Sequence, residues 1–107
     1  MSAPEMRRAD RAMTTEQAIE ALERTRIGRL ATMSEDNYPY CLPMLYVWSN
    51  NRIFRHGVSA FGQLRASVIR EPRACFEIDD PGDVFDYGRF ECDTGLSFRS
   101  VIVFGKL

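Results

Sequence analysis

The stretch most informative about the fold runs from residue 28 to residue 48 and reads GRLATMSEDNYPYCLPMLYVW. Its first segment, Arg29 to Met33, is short and extended in character, and Ser34 to Asn37 supplies residues that favour turns. The segment from Tyr38 to Trp48 is rich in aromatic residues but is interrupted by two prolines, which cannot donate a hydrogen bond to a β-ladder. We therefore predict a β-hairpin whose second strand lies at a sheet edge or is bulged, with some backbone groups left free.

The residues before this hairpin predict one amphipathic helix. Thr14 can accept a hydrogen bond from the first turn while Gln17 reaches back, which is the chemistry of a capping box. The apolar residues that follow share one stripe, so the helix packs one face on something larger and ends near Gly28. Residues 1–12 show no apolar period, and we interpret them as a flexible arm that precedes a single domain over residues 13–107.

The residues after the hairpin predict three further strands and a second helix. These are a strand at Ile53–His56, a helix over residues 60–70, a strand at Ala74–Ile78, a loop at 79–83 and a strand over residues 96–104. Strands in hairpin order with two short helices indicate a mainly β fold, an antiparallel sheet that closes into a small barrel. The sequence stops directly after its most strand-like segment. Either the domain is shortened at its C-terminus or the last strand pairs across an oligomer interface.

Composition and charge exclude several classes of function. No stretch approaches the roughly 20 apolar residues of a membrane span, and the N-terminus carries charges where a secretory signal has its apolar core. We therefore predict a cytoplasmic protein with no membrane partner. The net charge of −1 supplies no general attraction to nucleic acid, so nucleic acid is excluded as well. The acid-rich segment 71–93 is interpreted as solvated loop rather than as a cation site.

The cysteines and the single histidine limit the available chemistry. Cys41, Cys75 and Cys92 are odd in number and lack CxxC spacing, which is typical of buried thiols in a reducing compartment. His56 is the one histidine, so a Ser-His triad or a multi-histidine metal centre is hard to assemble. The sequence therefore predicts no metal site and no catalytic side chain.

The best candidate for binding chemistry is the segment from Arg55 to Arg65, which reads RHGVSAFGQLR. A strand ends there and a helix starts, so free N–H groups and the positive end of the helix dipole converge where an anion can bind. Phosphate suits this turn, since Ser59 can add a hydroxyl and the two arginines can add charge. The alternative is an ordinary capped turn with solvent-facing arginines. His56 is better suited to a contact role than to proton transfer.

Several motifs resemble those of the FMN-binding split-barrel superfamily. They are Gly28–Thr32 after a short helix, Tyr38-Pro39-Tyr40 with Pro43 and Tyr46-Val47, His56-Gly57, Gly62–Arg65 and Glu71–Glu77. The most specific pair is Gly88–Thr94 followed by Phe98–Gly105, which is similar to the branch of pyridoxamine 5′-phosphate oxidase-related and 5-nitroimidazole reductase-like flavoproteins. The resemblance covers nearly the whole chain.

The resemblance implies an antiparallel Greek-key split β-barrel that forms a homodimer, with FMN bound in clefts at the subunit interface. The residues implied to line the isoalloxazine and ribityl side are Arg29, Leu30, Ala31, Thr32, Pro43, Met44 and Leu45. Those implied to hold the phosphate are His56, Gly57, Ser59, Gly62, Gln63, Leu64 and Arg65. Many relatives carry a lysine where this chain has Gln63-Leu64, so the charge at the phosphate would rest on Arg65 or Arg55.

The leading functional hypothesis is an FMN-dependent oxidoreductase that passes hydride or electrons to a small acceptor such as a nitro compound. Pyridoxamine phosphate oxidation itself is not assigned, because the substrate residues of those enzymes lie in a C-terminal stretch with no counterpart here. The alternative is a non-enzymatic module that carries flavin or haem, with His56 as the candidate iron ligand. A third hypothesis is a structural dimer that has lost its ligand.

Overall fold

The computed structural model describes residues 2–55, 63–89 and 94–107. An exposed 3-10 turn at Ala9–Arg11 lies within the segment predicted as an arm. The elements that follow are α1 (Thr15–Arg24), β1 (Ile27–Met33), β2 (Pro39–Ser49), β3 (Arg52–Arg55), α2 (Gln63–Arg70), β4 (Arg73–Asp86) and β5 (Thr94–Lys106).

The five strands form one antiparallel sheet in the order β3-β2-β1-β4-β5. Hairpins join β1, β2 and β3, and β4 returns to lie beside β1, which is the arrangement of a Greek key. The sheet curls so that residues of β3 and β5, at its two ends, line one groove. The predicted mainly β, antiparallel Greek-key fold with two short helices is therefore confirmed.

The core lies on one face of the sheet, beneath α1. Its buried members are Ala21 and Leu22 of α1 and the strand residues Leu30, Tyr46, Phe76 and Ile78. The rings of Tyr46 and Phe76 meet edge to face, with centroids 4.8 Å apart. The Tyr46 hydroxyl donates a hydrogen bond of 2.7 Å to the carbonyl oxygen of Leu22, so α1 is attached to β2 by a buried polar contact.

Helix α1 begins where its capping residues predict. The Thr14 hydroxyl accepts from the Gln17 N–H at 3.2 Å, and the Gln17 side chain accepts from the Thr14 N–H at 2.9 Å. The predicted end near Gly28 is wrong, because the helix stops at Arg24 and β1 begins at Ile27. Pairing of Ile27 and Gly28 with β2 takes these residues into the sheet.

The hairpin turns carry the asparagines that their geometry requires. Asn50 and Asn51, between β2 and β3, have φ of 52° and 58°, as in a type I′ turn. Asn37, in the turn between β1 and β2, has φ of 60°. The predicted turns at 34–37 and 49–51 are thus confirmed, and asparagine tolerates this left-handed conformation better than most residues.

The prediction of a loop at residues 79–83 is wrong. These residues belong to β4, which pairs with β5 from Arg73 to Asp86 with a register irregularity between Pro81 and Val84. A long partner strand supplies a ladder on one side, and a bulge accommodates the proline that would otherwise interrupt it. In the described part of the chain, no helix is long and apolar enough to cross a bilayer.

Candidate functional site

The half of β2 that contains the prolines has one unpaired edge among the described residues. The Tyr46 N–H donates to the carbonyl oxygen of Arg26, beside β1, at 3.1 Å. Backbone groups alternate in direction along a strand, so the odd-numbered residues of β2, including both prolines, point away from β1. On that side β3 pairs only with Tyr46–Ser49. β2 lies between β3 and β1 in the sheet, but only residues 46–49 pair with β3. The prediction of an edge strand is therefore correct for residues 39–45, which have β1 on one side and no described strand on the other.

The predicted ring-binding residues fall on both faces of the sheet. Leu30, Thr32 and Met44 point towards the core, where Leu30 and Thr32 are buried. The alternation of the strands places Arg29, Ala31, Pro43 and Leu45 on the opposite face. We call this the open face; its other described members are Ile27, Cys41, Val47, Phe54, Cys75, Glu77, Ile102 and Phe104.

Arg29 is held by carboxylates at the centre of the open face. Its Nη2 and Nε donate to the two carboxylate oxygens of Glu77 at 2.8 and 3.1 Å, and Nη2 also pairs with Asp79. The hydrogen bonds that the guanidinium donates to Glu77 raise the pKa of Arg29. The register that sets Arg29 opposite Glu77 produces this two-pronged contact. The charge of Arg29, a residue predicted on the ring side, is thus balanced by two carboxylates of the chain itself.

Thr32 carries a buried hydroxyl that lacks a partner among the described residues. The residue is 6% exposed, and its Oγ1 makes no hydrogen bond there. A buried hydroxyl without a hydrogen-bond partner lowers the folding stability by about 1–3 kcal/mol, so such groups are uncommon in folded proteins. It lies on β1 among the residues predicted to hold a cofactor.

The predicted phosphate site is described only at its two ends. Arg55 is the last residue of β3, pairs in register with Tyr46, and is exposed beside the start of the unpaired edge. His56, Gly57, Ser59 and Gly62 lie outside the described residues. Gln63 and Leu64 open α2, and Arg65 follows them in its first turn with an exposed side chain. The strand ends at Arg55 and the helix is described from Gln63, whereas the predicted strand end at His56 and the predicted helix start at residue 60 lie outside the described residues.

Helix α2 is tied to the β1–β2 turn at its other end. Arg70 donates from Nη1 to the Asn37 side-chain oxygen at 2.9 Å, and from Nη2 to the Ser34 carbonyl oxygen. Ser67 of the same helix is fully buried. These contacts fix the position of α2, and with it Arg65, against the strand that carries Thr32.

Two features of the site escape sequence reasoning. Glu77 and Asp79 become partners of Arg29 only through strand register, which the sequence does not reveal. Cys41 and Cys75 flank Ala31 on the open face as free thiols, whereas buried positions were predicted; Cys41 is exposed and Cys75 half-buried. Among the residues that the structure describes, no group of three potential ligands could hold a metal ion.

Several solved structures resemble this chain. A conserved hypothetical protein from Mycobacterium tuberculosis shares 26% identity over 95% of this chain and 56% of its own, with a TM-score of 0.75. An FAD-binding protein from Mesorhizobium loti shares 24% identity over 88% of this chain and 58% of its own, with a TM-score of 0.66. A flavocytochrome from Azotobacter vinelandii shares 22% identity over 87% of this chain and 42% of its own, with a TM-score of 0.72.

The present chain therefore spans little more than half the length of the first two structures. A search of the curated proteins finds no match. The sequence profile of the family described as pyridoxamine 5′-phosphate oxidase matches residues 14–107. This range includes the five strands and both α-helices that the structure describes. The chain belongs to the pyridoxamine 5′-phosphate oxidase family.

Proposed function

We propose that the chain binds a flavin, FMN, beside the unpaired edge of β2. The observation that carries this proposal is that residues 39–45 present backbone groups with no strand partner among the described residues, next to Arg55 and the start of α2. Membership of the family supports it, as does similarity to an FAD-binding protein and to a flavocytochrome.

The ring would lie along β1 and the proline half of β2. The free edge offers the Cys41 N–H and the carbonyl oxygens of Cys41 and Pro43, which match the donors and acceptors at the rim of an isoalloxazine. Ala31 and Pro43 supply small, flat apolar surface on the open face. Leu30 and Met44 would act only by supporting the site from behind, because their side chains are engaged with the core and their backbone groups face the β1–β2 ladder.

The phosphate would be held at the other end of this arrangement. Arg55 and Arg65 are the cations at the end of β3 and the start of α2, and Arg29 is neutralised by Glu77 and Asp79. His56, Gly57, Ser59 and Gly62 are proposed as phosphate contacts on the resemblance of their motif. Two arginines suit a dianionic headgroup, since each guanidinium presents a planar fork of donors to phosphate oxygens.

The activity that we propose is flavin-dependent electron transfer to a small acceptor, a nitro compound in the manner of the 5-nitroimidazole reductase-like branch. A bound flavin would supply the hydride or electron chemistry. The residues of this chain would bind the ring, set its orientation and exclude water from it, and no side chain needs to act as a base.

The open face is proposed as the homodimer surface. Ile27, Leu45, Val47 and Phe54 are each more than half exposed on it and form one apolar group, and Ile102 and Phe104 lie on the other side of the Arg29–Glu77 pair. Contiguous apolar patches of this kind mark interaction surfaces in soluble proteins. A two-fold contact here would cover these side chains and bring the proposed ring positions of both subunits towards the interface.

The direct test is FMN titration of the purified chain and of three variants, two in the proposed site and one control. Arg65→Ala and Arg55→Ala should each weaken FMN binding by about 1.5–3 kcal/mol if they make charge-assisted contacts to the phosphate. Arg99→Ala, an exposed arginine on β5, is the matched control and should leave affinity unchanged. If all three variants bind FMN as tightly as the wild type does, the assignment of the FMN phosphate to this site is wrong.

The absorption spectrum of the purified protein separates the proposal from its alternatives. Flavin maxima support it, and the released cofactor can be identified as FMN or FAD by chromatography. A Soret band would instead favour a haem-carrying module, and a colourless protein indifferent to flavin would favour a structural dimer.

A further inference from the structure

A compact group of three charged side chains lies at the centre of the open face. Arg29 of β1 donates to both carboxylate oxygens of Glu77 on β4, and it also pairs with Asp79, two residues further along that strand. We call these three residues the charge cluster. Two carboxylates against one guanidinium leave the charge cluster with one net negative charge.

The charge cluster is distant from the other charged side chains that strand register places on the described part of the open face. Arg73 and Lys106 are opposite each other at the ends of β4 and β5, and Arg73 is four residues from Glu77, about 13 Å along the strand. Arg52 is opposite Ser49, six residues along β2 from the residue that faces the cluster, which is about 20 Å. Charges at these distances are largely screened, because the Debye length is about 8 Å at physiological ionic strength. The charge cluster therefore dominates the electrostatic potential at the centre of the open face.

The charge cluster adjoins the surface on which the flavin ring is proposed to lie. Pro43 is the register partner of Arg29 on one side and Glu77 is its partner on the other, so the three residues form one row across β2, β1 and β4. Ala31, the other proposed ring contact on this face, is two residues from Arg29 on β1, about 7 Å along the strand. The side chains of the cluster are between 34% and 41% exposed, so they are partly shielded from water but accessible to a ligand on this face.

A reduced flavin is more sensitive to this charge than an oxidised one. Two electrons and one proton convert the neutral oxidised ring into a reduced ring with one negative charge. A neighbouring negative charge disfavours the reduced ring by Coulomb repulsion, and a neighbouring positive charge favours it. Glu77 and Asp79 act in one direction on both counts, because they add negative charge and cancel the positive charge of Arg29.

We propose that Glu77 and Asp79 keep the reduction potential of the bound flavin low. The inference rests on the proposed flavin function, and it adds the residues that set the strength of the reduced ring as an electron donor. A lower potential makes the reduced ring a stronger donor, since the free energy of electron transfer follows the difference in potential. The charge cluster therefore suits transfer to acceptors that are hard to reduce.

The test is the midpoint potential of FMN bound to the wild type and to variants of the charge cluster. It is measured by anaerobic titration with dithionite and indicator dyes at mildly alkaline pH. Glu77→Gln and Asp79→Asn should each increase the ratio of the affinities for reduced and oxidised FMN about three- to tenfold. This change raises the midpoint potential of a two-electron couple by about 15–30 mV.

Arg29→Gln should shift the midpoint potential in the opposite direction. The variant leaves the two carboxylates of the cluster without their cation, so repulsion of the reduced ring increases. All three shifts should become smaller in high salt, because salt screens the charges of partly exposed groups. Opposite signs from neighbouring residues of one ion-paired group distinguish an electrostatic effect from a general loosening of the site.

Asp80→Asn is the matched control. Asp80 follows Asp79 on β4, but its side chain points to the opposite face, where it pairs with Arg24 of α1 at 3.0 Å. Loss of this carboxylate should leave the midpoint potential of bound FMN unchanged. Circular dichroism confirms that each variant is folded, and FMN titration confirms that it is saturated with flavin.

The inference is overturned if Glu77→Gln and Asp79→Asn leave the midpoint potential unchanged, or if Asp80→Asn raises it as much as they do. A raised potential in Arg29→Gln would overturn it as well. A wild type that binds no FMN contradicts the flavin proposal and this inference with it. A wild type that binds FMN with a potential insensitive to the charge cluster contradicts this inference alone.

Discussion

Gly28 occupies a position where the backbone of β1 runs against the Phe76 ring. A β-carbon built there would overlap that ring and would lie 2.9 Å from the Glu77 carbonyl oxygen. The glycine is visible in the sequence as the start of a motif, but the motif does not say why a side chain is excluded. The reason is the close packing of two strands that are distant in sequence, as it is for the contact of Arg29 with Glu77 and Asp79.

Gly28→Ala should destabilise the fold by about 1–3 kcal/mol, because the Phe76 ring must move out of its contact with Tyr46. Gly105→Ala is the matched control, since a β-carbon there meets nothing within 4 Å. Urea unfolding followed by tryptophan fluorescence measures both variants. Equal stability of the two variants would show that Phe76 does not require a glycine opposite it.

Tyr46 makes the stability of the fold depend on pH in alkaline solution. Burial raises the pKa of its hydroxyl above the ordinary value of 10.0. The unfolded chain therefore ionises more easily than the folded one, so this contribution is complete below about pH 10 and is lost as the pH rises through the folded pKa.

Tyr46→Phe should cost about 1 kcal/mol at pH 7, because the hydrogen bond to the Leu22 carbonyl is lost, and should reduce the alkaline loss of stability. The free energy of unfolding at pH 7 and at pH values above 10 tests both statements. If the free energy of unfolding of the variant falls with pH above 10 as steeply as that of the wild type, groups other than Tyr46 cause the alkaline loss of stability.

Among the secondary-structure elements, features encoded by neighbouring residues are predicted from the sequence better than features set by contacts between distant strands. The start of α1 and the asparagine turns are encoded within four residues, so the sequence predicts them correctly. The course of β4 through Pro81 is imposed by its pairing with β5, and the sequence pattern there is that of a loop. The free edge of β2 is predicted only in part. Its prolines indicate that one side of the strand lacks a partner, but only the structure shows that the unpaired part is residues 39–45.

Thr14→Ala should reduce the free energy of unfolding by about 1 kcal/mol through loss of the helix cap. Thr15→Ala changes the neighbouring residue, whose side chain is exposed inside the helix, and is the matched control. Chemical denaturation compares the two. A Thr15→Ala effect as large as that of Thr14→Ala would mean that capping contributes nothing specific.

The whole molecule is more extended than a typical domain of its length. Its radius of gyration is 16.3 Å, with principal extents of 51 × 32 × 29 Å, whereas a compact chain of this size has a radius of about 13 Å. The β4–β5 hairpin continues well beyond the three residues of β4 that pair with β1. An extended shape with an exposed apolar sheet face is suited to association through that face.

Leu45→Glu should convert the proposed dimer into a monomer, because it places a charge in the apolar surface of the open face, where Leu45 is 63% exposed. Ile69→Glu is the control, since Ile69 is equally apolar and 76% exposed but lies on α2. Sedimentation at several concentrations measures the mass of each. A monomeric wild type, or a Leu45→Glu variant that remains dimeric, would contradict the assignment of this face.

Flavin binding is tested most directly by thermal unfolding of the purified chain with and without added FMN, since a ligand that binds the native state alone must raise Tm by mass action. The proposal predicts that Tm rises steadily with FMN concentration, and that the rise is smaller for Arg65→Ala. A Tm that does not change at any FMN concentration, in a protein purified without bound flavin, would contradict it.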